Sequence, residues 1–184
     1  MDRRSDRNIG SFAWKCLPAV AAVVLAGCAS PTPQDALYAC PQVSIVRDLA
    51  EMTQFRPGGR DLTDITSRAA LVDYSGSCDY TSDGVTVNMN LFLVAERGPA
   101  LQGNSGSYQY FVAVARPDES LASKAVFDTT VQFPDGQPRA GSREELAPKI
   151  PLPVDVNAKD WKIFVGFQLT PEQLEFNRSQ MQRQ

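Results

Sequence analysis

The chain has 184 residues, 18 basic and 21 acidic, with a formal net charge of −3 and no histidine. The missing histidine excludes Ser-His-Asp and Cys-His nucleophile arrangements and imidazole metal ligands, and it removes the usual general base near neutral pH. Carboxylate pairs, Ser-Lys pairs and all-oxygen metal sites remain open.

The chain begins with Arg3, Arg4, Arg7 and Lys15, against Asp2 and Asp6. An apolar run from Leu17 to Leu25 follows, and Ala26 and Gly27 stand directly before Cys28. A positive start, a short apolar stretch and small residues at a cleavage point read as a secretory signal over residues 1–27. The run is too short for a spanning helix, which needs about 20 residues. Arg3-Arg4 is a twin arginine without a close apolar pair after it, which favours general secretion.

Leu25-Ala26-Gly27-Cys28 resembles the lipobox of bacterial lipoproteins. The resemblance implies diacylglycerol on the Cys28 thiol and, after cleavage, an acyl group such as palmitate on the freed amine. Two or three chains hold firmly, at about 0.8 kcal/mol per buried methylene. Ala29 in place of Asp implies, by the same resemblance, the outer membrane facing the periplasm rather than the inner membrane. Cleavage leaves 14 basic and 19 acidic residues, with no basic cluster after Cys28, which argues against nucleic acid.

Residues 28–39 form the lipidated N-terminus and tether; two prolines and small polar residues keep 29–36 extended. Of the four cysteines, Cys16 leaves with the signal and Cys28 takes lipid. Cys40 and Cys78 remain in an oxidising compartment, so a Cys40–Cys78 disulfide is the simplest account, with two free thiols as the alternative.

The domain spans 40–184. Val43, Ile45 and Val46 suggest a short strand. Leu49, Met52 and Phe55, three apart, suggest one or two helical turns. Pro57-Gly58-Gly59 breaks the chain. Residues 65–80 read as a long strand with a bulge at Ser75-Gly76-Ser77. Asp83-Gly84 is a hairpin turn pair. Val85, Val87, Met89, Leu91 and Leu93 then alternate with Thr86, Asn88, Asn90 and Phe92, a half-buried strand that should pair with Tyr74 to Tyr80. A loop runs from Arg97 to Ser107. Tyr108–Ala115 is a strand with Tyr108, Tyr110, Val112 and Val114 on one face, and Ala125–Phe133 is another. Glu145–Leu152, with Pro148 and Pro151, reads as an edge strand, and Trp161–Leu169 as the last. Thr170-Pro171-Glu172-Gln173 starts a helix: N-cap, proline at the first position, capping-box partner. Leu174 and Met181 share one face of it.

These elements predict an all-β fold: an antiparallel β-sandwich of about seven strands, immunoglobulin-like, with a short C-terminal helix. A small barrel is the alternative.

Candidate chemistry is sparse. Asp79 and Asp83 with Gly84 faintly resemble a calcium loop, which turn chemistry explains with less. Asp61, Asp64 and Asp73 offer carboxylates without a sign that they converge. Ser120, Ser123 and Lys124 lack the Ser-Lys nucleophile spacing. Trp161, Tyr108, Tyr110, Phe92 and Phe111 read as sandwich core, with an exposed aromatic site as the other reading. Gly58-Gly59-Arg60-Asp61 and Gly103-Asn104-Ser105-Gly106 read as mobile loops. No catalytic, metal or cofactor site is expected. The expected role is a lipid-anchored, non-catalytic binding or assembly module of the envelope, contacting the membrane through Cys28 and an envelope protein partner. The alternative is a carboxylate- or metal-dependent hydrolase of envelope polymer. Gly76–Tyr80, Glu96–Ala100, Tyr110–Val114 and Val165–Leu169 give the rest of the chain a loose resemblance to uncharacterised bacterial envelope lipoproteins, which brings no activity with it.

Overall fold

The computed structural model describes residues 39–182. The signal segment 1–27, Cys28 and the tether through residue 38 lie outside the described residues. Nine strands form two sheets. They are β1 (Gln42–Ile45), β2 (Glu51–Phe55), β3 (Ile65–Thr81), β4 (Gly84–Arg97), β5 (Ser105–Ala115), β6 (Leu121–Gln132), β7 (Arg139–Leu146), β8 (Lys149–Ile150) and β9 (Lys162–Phe167), followed by helix α1 (Pro171–Met181). One sheet has the order β1-β9-β5-β6; the other has the order β2-β3-β4-β7, with β8 also on β4. All pairs are antiparallel except β1 with β9. The fold is the expected antiparallel β-sandwich with a short C-terminal helix.

The apolar faces of both sheets meet in one core. Val85, Val87, Met89, Leu91, Leu93 and Ala95 of β4 are all buried. Across from them stand Tyr108, Tyr110, Val112 and Val114 of β5, and Ile163, Val165 and Phe167 of β9. Period two in β4 forces this arrangement, because alternate side chains point to one face; β5 alternates only up to Tyr110, beyond which both its faces are buried. The last strand, β9, is interior, between β1 and β5. Its outer face is pressed by Leu49 and Phe111. A Cβ on Gly166 would lie 2.8 Å from the Leu49 Cβ, so only glycine allows that approach.

Several local expectations change. Glu51–Phe55 is a strand, preceded by a 3-10 turn at Arg47–Leu49, and not a helical segment. Pairing of Glu51–Gln54 with Ser67–Ala70 of β3 decides it, and Met52 and Thr53 are buried. The bulge in β3 lies at Val72, not at Ser75-Gly76-Ser77: Leu71 opposes Leu93 and Asp73 opposes the next residue, Phe92. Taking up Val72 there switches the inward parity from Ile65, Ala69 and Leu71 to Tyr74, Cys78 and Tyr80. Glu145–Leu152 is not one strand. It divides into the end of β7 and the two-residue β8, interrupted by Pro148. In the hairpin, Ser82 and Asp83 form the loop, and the left-handed φ falls on Gly84, where a Cβ would meet the Ile150 carbonyl.

Helix α1 starts as its sequence indicates. The Thr170 hydroxyl accepts from the Gln173 N–H, and the Gln173 side chain accepts from the Thr170 N–H. The helix then covers β2 with Asn177 and Phe176. Asn177 Nδ2 donates to the carbonyls of Asp48 (3.2 Å) and Glu51 (2.7 Å), and Phe176 packs edge-on to Phe55 at 5.4 Å. No residue of α1 is buried.

Candidate functional site

A two-sheet sandwich has two lateral flanks, where the sheets' edge strands face each other. Here one flank joins β1 to β3, and the other joins β6 to β7 and β8.

On the first flank, the part of β3 beyond Leu71 has outrun β2, whose register ends opposite Ala70. Residues 39–43 run beside it and are tied to it three times. Cys40 and Cys78 form a disulfide with Cα atoms 5.7 Å apart. The Tyr74 hydroxyl donates to the Val43 carbonyl (2.8 Å), and the Tyr80 hydroxyl donates to the Ala39 carbonyl (2.7 Å). All three β3 residues point inward because Val72 is bulged. Between the ties is a cleft of about 420 Å³ lined by Val43, Tyr74, Val87, Met89 and the disulfide. Among the described residues no carboxylate or cation lines it; Gln42, Ser44 and Ser77 add neutral polar groups to its apolar wall.

On the second flank, the sheets are linked where the Thr129 hydroxyl donates to Glu144 Oε1 at 2.7 Å. Tyr110 reaches the same carboxylate. Burial, then the Glu144 charge and hydrogen bond, push the Tyr110 hydroxyl up to about 12. Away from this link the flank opens. Phe127 stacks on Tyr110 at 5.4 Å yet stays 36% exposed. Beside it a hollow of about 320 Å³ reaches Val112, Val114, Leu146 and Pro148, with Lys124, Lys149 and Glu145 at its rim. A second hollow of about 610 Å³ shares Val114, Ser123 and Lys149 with it and runs on to Pro151, Leu152 and Trp161. The chain is acidic overall, but cations outnumber carboxylates along this groove.

The carboxylates singled out by sequence do not converge on a cleft. Asp61 and Asp64 share a 3-10 turn at Leu62–Asp64, and Asp64 is its organising centre. Its carboxylate accepts from the N–H groups of Arg60 (3.0 Å) and Asp61 (3.1 Å) and pairs with Arg56 at 2.6 Å. The Asp61 N–H leads the causes that hold Asp64 below the usual carboxylate range, with Arg60 and Arg56 assisting against desolvation. Asp73 turns back to its neighbour's amide, Tyr74 N–H, at 2.8 Å, and Asp79 accepts from Asn88 at 2.6 Å. Asp83 sits in the hairpin loop beside Ser82. Among the described residues no three acidic or sulfur side chains group as metal ligands. Lys124 donates to Gln168 Oε1 at 2.9 Å and lies over the Phe111 ring, while Ser120 contacts Arg116.

Tyr108 and Tyr110 are core, Phe111 is buried on the outer face of its sheet beneath Lys124 instead, and Phe92 and Trp161 are half-buried. The two Gly-rich loops are pinned. The first wraps Asp64 so closely that a Cβ on Gly59 would lie 2.5 Å from the Asp64 Cβ. The second is held by Arg97 on the Gly103 carbonyl (2.6 Å) and by the Phe133 N–H on that of Asn104 (2.7 Å). The sequence indicated an edge strand within Glu145–Leu152 and the Cys40–Cys78 tie, but not that β1 faces β3 or that β6 faces β7, because those neighbours depend on strand order, which a single sequence does not display.

No family model matches the chain, and no curated protein matches it.

Proposed function

We propose that the protein is a lipid-anchored module of the cell envelope that binds or assembles with other envelope components, without catalysis of its own. Diacylglycerol on Cys28 holds it, in the outer membrane facing the periplasm. The observation that carries this reading is the Cys40–Cys78 disulfide, twelve residues after the Leu-Ala-Gly-Cys motif. Such a bond persists in an oxidising compartment, the compartment that export delivers. Twelve extended residues reach at most about 40 Å, so the disulfide flank is held near the membrane surface. No helix among the described residues is long and apolar enough to cross a membrane, and a lipid anchor needs none. The engagement of Asp61, Asp64, Asp73 and Asp79 in turns and pairs supports binding over hydrolysis.

The test is Cys28→Ala in cells labelled with palmitate. The variant loses the label, leaves the membrane fraction and keeps its disulfide. If it still fractionates with membranes and is processed normally, the reading is wrong.

A further inference from the structure

Each sheet of a sandwich has two edge strands, and an uncovered edge invites pairing with another chain. Three of the four edges here are managed. β1 is tied to β3 by the disulfide and two tyrosine hydroxyls. β2 is capped by Asn177 of α1 on the Glu51 carbonyl. β7 carries four charges in eight residues, Arg139, Arg143, Glu144 and Glu145, a device that resists pairing. The fourth edge, β6, is twelve residues long and borders only β5 among the described residues. It contains no proline, and Leu121, Val126 and Phe127 are exposed on it by 59%, 48% and 36%.

Its only charges are Lys124 and Asp128, two residues either side of Val126. In an antiparallel pairing of β6 with β6 of another copy, centred on Val126, Lys124 of each copy stands opposite Asp128 of the other. Two opposite-charge pairs form at once, on one face, about Val126 against Val126. On the other face Ala125 meets Phe127 twice, small against large. A shift of two residues either way removes both charge pairs. The edge is therefore complementary to itself in one register, as a two-fold interface requires. The present partners do not compete: Lys124 gives one proton to Gln168, and Asp128 receives one bond from Gln109 (2.8 Å), leaving two ammonium protons and a carboxylate oxygen.

We propose that β6 pairs with β6 of a second copy, joining two four-stranded sheets into one of eight strands and drawing the partner's edge across the mouth of the Phe127 groove. This goes beyond the anchoring proposal and does not depend on it.

Opposed residues in an antiparallel ladder have Cα atoms about 4.5–5.5 Å apart, within disulfide reach. Val126→Cys in the full chain, oxidised mildly, therefore gives a covalent dimer above the background of the parent chain. Thr130→Cys, whose copies lie roughly 27 Å apart along the ladder, stays at that background. In sedimentation equilibrium, Lys124→Asp and Asp128→Lys each weaken association roughly tenfold, because two attractions become two repulsions. The double exchange restores it. Equal cross-linking at both cysteines, a parent chain that stays monomeric at every concentration, or single and double exchanges that behave alike would overturn the proposal.

Discussion

The two flanks of the sandwich solve the same problem in opposite ways. At the β1–β3 flank the disulfide and the Tyr74 and Tyr80 hydroxyls hold residues 39–43 to β3, and among the described residues the cleft left between them has no charged lining. At the β6 flank the Glu144 carboxylate joins the sheets, meeting Thr129 and Tyr110, and away from it core side chains open to solvent beside exposed Phe127. The tied flank is where the chain enters the domain, so it bears any pull from an anchor at Cys28. The more open flank presents, among the described residues, the uncovered edge of β6. Stability is invested on one side and contact surface is left on the other.

Breaking the tied flank has the largest expected effect. Replacing Cys40 and Cys78 with Ser removes a crosslink over 38 residues. Unfolding free energy falls by roughly 3–4 kcal/mol, from the loop entropy restored to the unfolded chain, read as a lower denaturant midpoint with an altered slope. The corresponding change on the β6 flank, Phe127→Ala, removes a ring that is one-third exposed and costs less, about 1–2 kcal/mol. If the two costs came out equal, the contrast between the flanks would fail.

The helical cap on β2 is a third case, with an effect no larger than the smaller of those two. Asn177→Ala deletes the bonds to Asp48 and Glu51 and costs about 1 kcal/mol. Hydrogen exchange in α1 and the adjoining Arg47–Leu49 turn rises while β9 stays protected. The α1 sequence conceals this role. Its docking face mixes Phe176 with the polar Gln173 and Asn177, so no apolar stripe marked the contact, whereas the Thr170 capping box was plain.

Similar reasons divide the rest of the fold. The alternation in β4 was legible because its inward residues are all apolar and its partners lie on both sides. β7 was not, because its inward positions are Ala140, Ser142, Glu144 and Leu146; β4 supplies the edge that makes Arg139–Leu146 a strand. The three-residue spacing of Leu49, Met52 and Phe55 mimicked a helix by coincidence. Leu49 belongs to the 3-10 turn, Met52 faces the core, and Phe55 is displaced by a register irregularity after Gln54 to pack on Phe176. The disulfide was legible by elimination. The symmetry of Lys124 and Asp128 about Val126 is present in the sequence, but it acquires meaning only once β6 is known to be an edge.

Two smaller effects refine the comparison. The bulge absorbs Val72 without a partner on β4, so deleting Val72 leaves Tyr74–Thr81 in register. The disulfide forms as before, and stability shifts by about 1 kcal/mol or less. A free-thiol assay showing both cysteines reduced would place the bulge elsewhere.

The last effect is confined to acid. The Asp64 carboxylate is held below its ordinary value of 3.8, chiefly by the Asp61 N–H. Its stabilising contribution is thus complete above that value and is lost as pH falls below it, through the still lower value of the folded state. Asp64→Asn removes this part of the pH dependence. The mutant and parent stability curves differ less in slope above pH 4 than below it.

The contrast between a tied flank and an available one is tested most directly by residue-resolved amide exchange of the full chain at low and high protein concentration. The account predicts that protection of Leu121–Gln132 rises with concentration, while that of Gln42–Ile45 and Tyr74–Cys78 stays constant. Protection of β6 that ignores concentration, or a rise confined to the disulfide flank, would contradict it.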